Sequence, residues 1–93
     1  MGCVTNNDVS NSSLIGIDLG ETNGVLQGSD IRDSLTGVRI PGSSAGNLIQ
    51  NNRINDVCTA FGYNPAAGSN TLGTNTIFNA TNLSIVNSTG LCP

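Results

Sequence analysis

A chain of 93 residues holds one small domain at most. Its formal net charge is −3, with three Arg and no Lys or His. That excludes the clustered basic surface that nucleic acid or anionic lipid requires, and no apolar run approaches a membrane span.

Charged residues make up 10% of the chain, where about a quarter is usual. Asn alone occurs fourteen times, and Phe61, Tyr63 and Phe78 are the only aromatics. Mean hydropathy is nevertheless near zero, and Val, Ile and Leu are spread evenly, unlike a disordered composition. In chain order, the first predicted unit carries Val4, Val9 and the alternating Ile15, Ile17 and Leu19. The second carries Leu26, Ile31, Val38 and Ile40; the third Ile49, Ile54, Phe61 and Tyr63; the fourth Leu72, Ile77, Leu83 and Ile85. The anchors Val9, Ile31, Ile54 and Ile77 are separated by 22, 23 and 23 residues, and Val4, Leu26, Ile49 and Leu72 repeat those separations. Two residues after each anchor stands Asn11, Asp33, Asp56 or Asn79, and two before it Asn7, Ser29, Asn52 or Asn75. Asn23-Gly24, Gly46-Asn47 and Ser69-Asn70 mark turns between units.

The apolar alternation has strand period, and the Asn, Ser, Thr and Gly between disfavour helix interiors. Short strands recurring at a fixed period predict an all-β solenoid of about four coils of 22–23 residues. A hexapeptide helix needs about 18 residues per coil and a leucine-rich repeat needs its own consensus. A right-handed parallel β-helix with three strands per coil fits. Coils about 4.8 Å apart place each residue on its equivalent. The two apolar series then become interior stacks, and the Asn11, Asp33, Asp56 and Asn79 series is expected to form a side-chain ladder at a turn. Asp33 should lie over Asp56, Asp30 beside Arg53, and Asp18 beside Arg39, surface pairs worth about 0–1 kcal/mol. Cys3, Cys58 and Cys92 are too few and scattered for a disulfide scaffold or a zinc site. They read as buried or terminal thiols, one of them unpaired unless a partner lies outside the chain.

"GVRIPGSSAGNLIQNNRINDV", residues 37–57, resembles the parallel β-helix repeats of secreted and surface bacterial proteins, in which G-N-x-I-x-N-N-x-I recurs. The likeness spans essentially the whole chain, and "NLSIVNSTGLCP" is similar to the C-terminal end of some of them. The resemblance implies the last coils of a right-handed, pectin-lyase-like β-helix, a superfamily that hosts lyases, hydrolases, epimerases, adhesins and scaffolds. A second likeness is local. "LIGIDLGETNGV", residues 14–25, resembles the first phosphate loop of the sugar kinase, Hsp70 and actin superfamily. Glu21 stands where phosphate would approach, no second nucleotide motif follows, and the fold would need several times this length. In the solenoid register the stretch is simply a strand, Ile15 to Leu19, and a turn, Gly20 to Gly24.

β-Helix hydrolases resembling polygalacturonase carry paired Asp, a His and an Arg-Ile-Lys strand. Here Arg39-Ile40 is followed by Pro41, and neither His nor an adjacent Asp pair occurs. β-Helix lyases hold Ca²⁺ on acidic residues and use Arg or Lys as base. On that reading Asp33, Asp56 and Arg53, near Asp30 and Arg32, are the candidate catalytic set. Asp33 and Asp56 are also the weak candidate pair for Ca²⁺, although the G-G-x-G-x-D calcium repeat is missing. A solvated ladder with ion pairs is the plainer reading of these charges, and no cofactor is expected. For sugar binding, Phe61 and Tyr63 fall in a packed alternation. Phe78 follows core Ile77 and should face outward, with Arg32 and Asn55 as companion contacts. The expectation is one module over residues 1–93: a non-enzymatic extracellular or cell-surface β-helix, structural or glycan-binding. The alternative is a polysaccharide-active enzyme or an inactive fragment of one. Residues 1–20 lack a signal-peptide pattern. Without polar caps, the ends are expected either to continue in further coils of a longer solenoid or to associate end to end, with a polysaccharide or glycan as the other partner and with neither nucleic-acid binding nor membrane insertion.

Overall fold

The computed structural model describes residues 3–10 and 14–92. Their strands are β1 (Cys3–Thr5), β2 (Asp8–Val9), β3 (Ile15–Asp18), β4 (Val25–Gln27), β5 (Asp30–Ile40), β6 (Leu48–Gln50), β7 (Arg53–Tyr63), β8 (Thr71–Leu72) and β9 (Thr76–Val86). All pairings between strands are parallel. One sheet runs β1-β4-β6-β8, the other β2-β5-β7-β9, with β3 also against β5. The chain is therefore an all-β parallel solenoid of about four turns. Each turn contributes one short strand to the first sheet and one long strand, split into β2 and β3 in turn one, to the second. No helix is long and apolar enough to cross a membrane.

The repeat has the predicted register. Val4, Leu26, Ile49 and Leu72 form one column and Val9, Ile31, Ile54 and Ile77 the other. Leu26, Ile31, Ile49 and Ile54 are fully buried, because each has a coil above and a coil below. Val4, Val9 and Ile77, on the outer coils, are half-buried. The phosphate-loop look-alike is β3, followed by buried Leu19 and a turn whose Thr22 bridges to Ala45 in the next coil.

The turn chemistry sharpens one expectation. The Asp33, Asp56 and Asn79 column lies at a turn and on the outside: the three are exposed, with φ of 57°, 55° and 51°. They are left-handed corners that bend β5, β7 and β9 partway along, a conformation Asn and Asp tolerate better than other side-chain-bearing residues. Asn79 Nδ2 donates to Asp56 Oδ1 at 2.9 Å, outside the core. Asn11 lies outside the described residues. Two further corner columns are also left-handed: Asn6, Gly28 and Asn51, and Asn23 and Gly46. The residue after the Asn23, Gly28, Gly46 and Asn51 corners is buried, and there the buried ladders run. Ser29 N donates to Asn52 Oδ1 at 3.0 Å and Asn52 N to Asn75 Oδ1 at 3.1 Å. Gly24 N donates to Asn47 Oδ1 at 2.8 Å and Asn47 N to Asn70 Oδ1 at 3.0 Å. The corner interrupts strand pairing, so the inward amide supplies the partner that a buried backbone group needs.

Two other expectations change. In turn four, Leu83 and Ile85 do not continue the Phe61 and Tyr63 stacks. Phe61 pairs with Ser84, Gly62 with Ile85 and Tyr63 with Val86. The offset sets Leu83 over buried Ala60 instead, and with no turn beyond it Leu83 is 66% exposed. The cysteines are not all thiols: Cys58 and Cys92 form a disulfide with Cα atoms 6.1 Å apart, and Cys3 is an exposed thiol. The bridge belongs to a segment after β9 that breaks the repeat. Residues 87–92 cross back over turns three and two, where Asn64 Nδ2 donates to Ser88 O (2.7 Å), Arg39 Nε to Thr89 O (2.7 Å) and Cys92 N to Thr36 Oγ1 (2.8 Å). The Gly90 carbonyl sits where a side chain at Gly62 would stand, which is why Gly62 has none.

Candidate functional site

Strand alternation brings residues 30 and 32, 53 and 55, and 76 and 78 to the outer face of the second sheet. The register then aligns them into two adjacent columns. One contains Asp8, Asp30, Arg53 and Thr76, the other Arg32, Asn55 and Phe78. The three predicted contact residues thus form a single column. Beside it lies an open groove of about 540 Å³ lined by the Gly28 and Asn51 corners, Asp30, Arg53, Thr74, Thr76 and Phe78. Buried Ser29 and Asn52 form its floor.

Phe78 is 41% exposed, as its place after Ile77 predicts, and Phe61 is buried. The Arg53 guanidinium carbon lies 5.0 Å from the centroid of the Phe78 ring. A cation over an aromatic face at an exposed site is worth about 0.5–1 kcal/mol, a modest bias toward keeping the two side chains together. Asp30 is the strand neighbour of Arg53, as expected, yet the ion pairs among the described residues are elsewhere. Arg32 Nη2 lies 3.2 Å from Asp8 Oδ1, and Arg39 Nη1 lies 3.0 Å from Asp18 Oδ2. Arg53 turns to the ring instead. Between Arg32 and Phe78, the Oδ1 of Asn55 is buried and accepts no hydrogen bond among the described residues.

The candidate catalytic set is divided. Arg53 lines the groove, whereas Asp33 and Asp56 sit at the bend further along each strand and do not. Asp56 accepts from Asn79. Among the described residues no group of three or more His, Cys, Asp or Glu is placed to hold a metal ion. The arrangement offers one aromatic face, one cation, one carboxylate and several hydroxyl and amide groups along a trough, which suits hydrogen bonding and stacking. Sequence reasoning missed Gly28, Asn51 and Thr74 as lining residues. The signal was present in the alignment of Gly28 with Asn51, which marks a left-handed corner.

Compared with known proteins, the chain matches no family model, no curated protein and no solved structure.

Proposed function

We propose that this protein is an extracellular or cell-surface, right-handed parallel β-helix of the pectin-lyase-like kind that binds a glycan in the groove beside Phe78. The observation that carries the reading is the exposed Phe78 ring flanked by Arg53, Asp30, Thr74 and Thr76 in one trough. A sugar ring presents an apolar face of C–H groups and a rim of hydroxyls. Phe78 suits the face, and Asp30, Arg53 and the threonines suit the rim. The right hand is the one that parallel crossovers almost always take. The Cys58–Cys92 bridge supports an oxidising location. The separation of Asp33 and Asp56 from Arg53's groove favours binding over turnover.

The test is binding of the purified protein to a broad glycan panel, with and without Ca²⁺, scoring bound sugar and newly released ends together. Binding without release is expected. Phe78→Ala should weaken it roughly tenfold, the loss of about 1.4 kcal/mol of aromatic contact. Product release would replace the reading with a polysaccharide-active enzyme, to be tested at Asp33, Asp56 and Arg53. Absence of binding across the panel would overturn glycan recognition and leave a structural module.

A further inference from the structure

The two ends of the solenoid are complementary. At turn four, Leu72 is 43% exposed, Leu83 66% and Val86 65%, whereas Ile49 and Ile54 one turn earlier are fully buried. Phe61, Leu72, Ile77 and Leu83 line an apolar hollow of about 220 Å³ there. Strand β9 is 11 residues long, pairs only with β7, and has no charged side chain. It lacks the Lys, Pro or inward charge that normally blocks an open strand edge. At turn one, β1 and β2 each pair on one side only, and Val4 and Val9 are half-buried.

The asparagine ladder identifies what fits. Inside the molecule each ladder Asn accepts from the ladder backbone N–H of the preceding turn. It also donates Nδ2 to the carbonyl three residues before that position. Asn52 Nδ2 reaches Leu26 O at 3.0 Å, and Asn75 Nδ2 reaches Ile49 O at 3.1 Å. The N–H of Asn75 and the side chain of Asn7 make no hydrogen bond among the described residues. Asn7 occupies the ladder position of turn one, so it is the group that the top of turn four lacks. Charge is compatible as well. Residues 57–93 contain no Asp, Glu, Lys or Arg, and Asp8 and Asp18 of turn one are already paired with Arg32 and Arg39.

We propose that a second copy of this chain stacks head to tail, its turn one on turn four of the first, with Asn7 continuing the ladder over Asn75. Val4 then covers Leu72, Val9 covers Ile77, and Cys3 falls beside Thr71. The molecule's principal extents are 28 × 28 × 20 Å, and three coil spacings of about 4.8 Å account for most of the shortest. The end face therefore measures at most about 800 Å² on each partner, so the contact does not exceed a standard specific interface. Such a contact is heterologous and does not close, so it propagates into a linear stack. The proposal is independent of the glycan reading.

The test uses the 93-residue chain in sedimentation velocity over a hundredfold concentration range. The expected result is an open-ended series in which the mean mass rises past that of a dimer. Leu83→Lys, which charges an already exposed edge position, and Asn7→Ala should remain monomeric with an unchanged far-UV spectrum and melting transition. Thr71→Cys should form ladders of disulfide-linked multimers with Cys3 under mild oxidation, whereas the parent chain should not. A monomer at every concentration, a closed dimer, a Cys3–Cys3 cross-linked dimer of the parent chain, or assembly of Leu83→Lys equal to the parent would each overturn the proposal.

Discussion

Adjacent asparagines in this chain do different work. Asn51 is a left-handed corner with φ of 55° and is exposed; Asn52 is 2% exposed and bonds three neighbours. Gly28 occupies the equivalent corner one turn earlier with φ of 67°. Asn51→Gly is therefore expected to be nearly neutral. Asn52→Gly removes the acceptor for a buried N–H and the donor for a buried carbonyl, and should cost about 1–3 kcal/mol for each group left unpaired. Each kcal/mol should lower Tm by roughly 4–8 °C; equal melting of the two variants would contradict the division of roles. Tyr63 gives a pH prediction at the same scale. Burial raises its phenol pKa above 10.0, the ordinary value. The folded chain then holds this proton more tightly than the unfolded chain does. The contribution is complete below about pH 10 and falls as pH rises through the folded pKa. Denaturant titrations across pH 9–12 should show this loss, and Tyr63→Phe should flatten it.

At the scale of the element, burial follows from having a coil on both sides. Ile54 in β7 is fully buried, whereas its column mate Ile77 in β9 is half-buried. Ile54→Ala should cost about 2–5 kcal/mol, and Ile77→Ala clearly less in the monomer, because less apolar area leaves water on folding. Chemical unfolding of the two variants compares them directly. In β9 the offset that sets Leu83 over Ala60 rather than Phe61 shows the limit of periodic reading: an apolar spacing alone does not fix which residues stack.

Over the whole molecule, stability is a sum of neighbour contacts between turns, to which residues 87–92 add ties back to turns three and two. The Cys58–Cys92 bridge closes a separation of 34 residues. In the chain-entropy view such a loop is worth about 3–4 kcal/mol. Cys92→Ser should lower stability by roughly that amount. Hydrogen exchange should quicken first in residues 87–92, while the amides of β5 and β7 stay protected. Protection lost uniformly across the chain would show that the segment is instead integral to the stack.

The sequence by itself determined the periodic part of this protein: strand type, a repeat of 22–23 residues, the two interior columns and the outward face of Phe78. These depend on local alternation and on equivalent residues meeting their own kind, which a one-dimensional pattern records. Only the tertiary structure decided which asparagines are corners and which are ladders, because both are polar residues at turns and differ only in φ and in which side faces inward. It also decided the Cys58–Cys92 pairing and the register of turn four. The first depends on a segment that leaves the repeat and crosses back over turns three and two, and the second on backbone pairing that overrides the apolar pattern. The groove beside Phe78 lies between those cases: its columns follow from the register, while the left-handed corners that line it are set only when the chain winds.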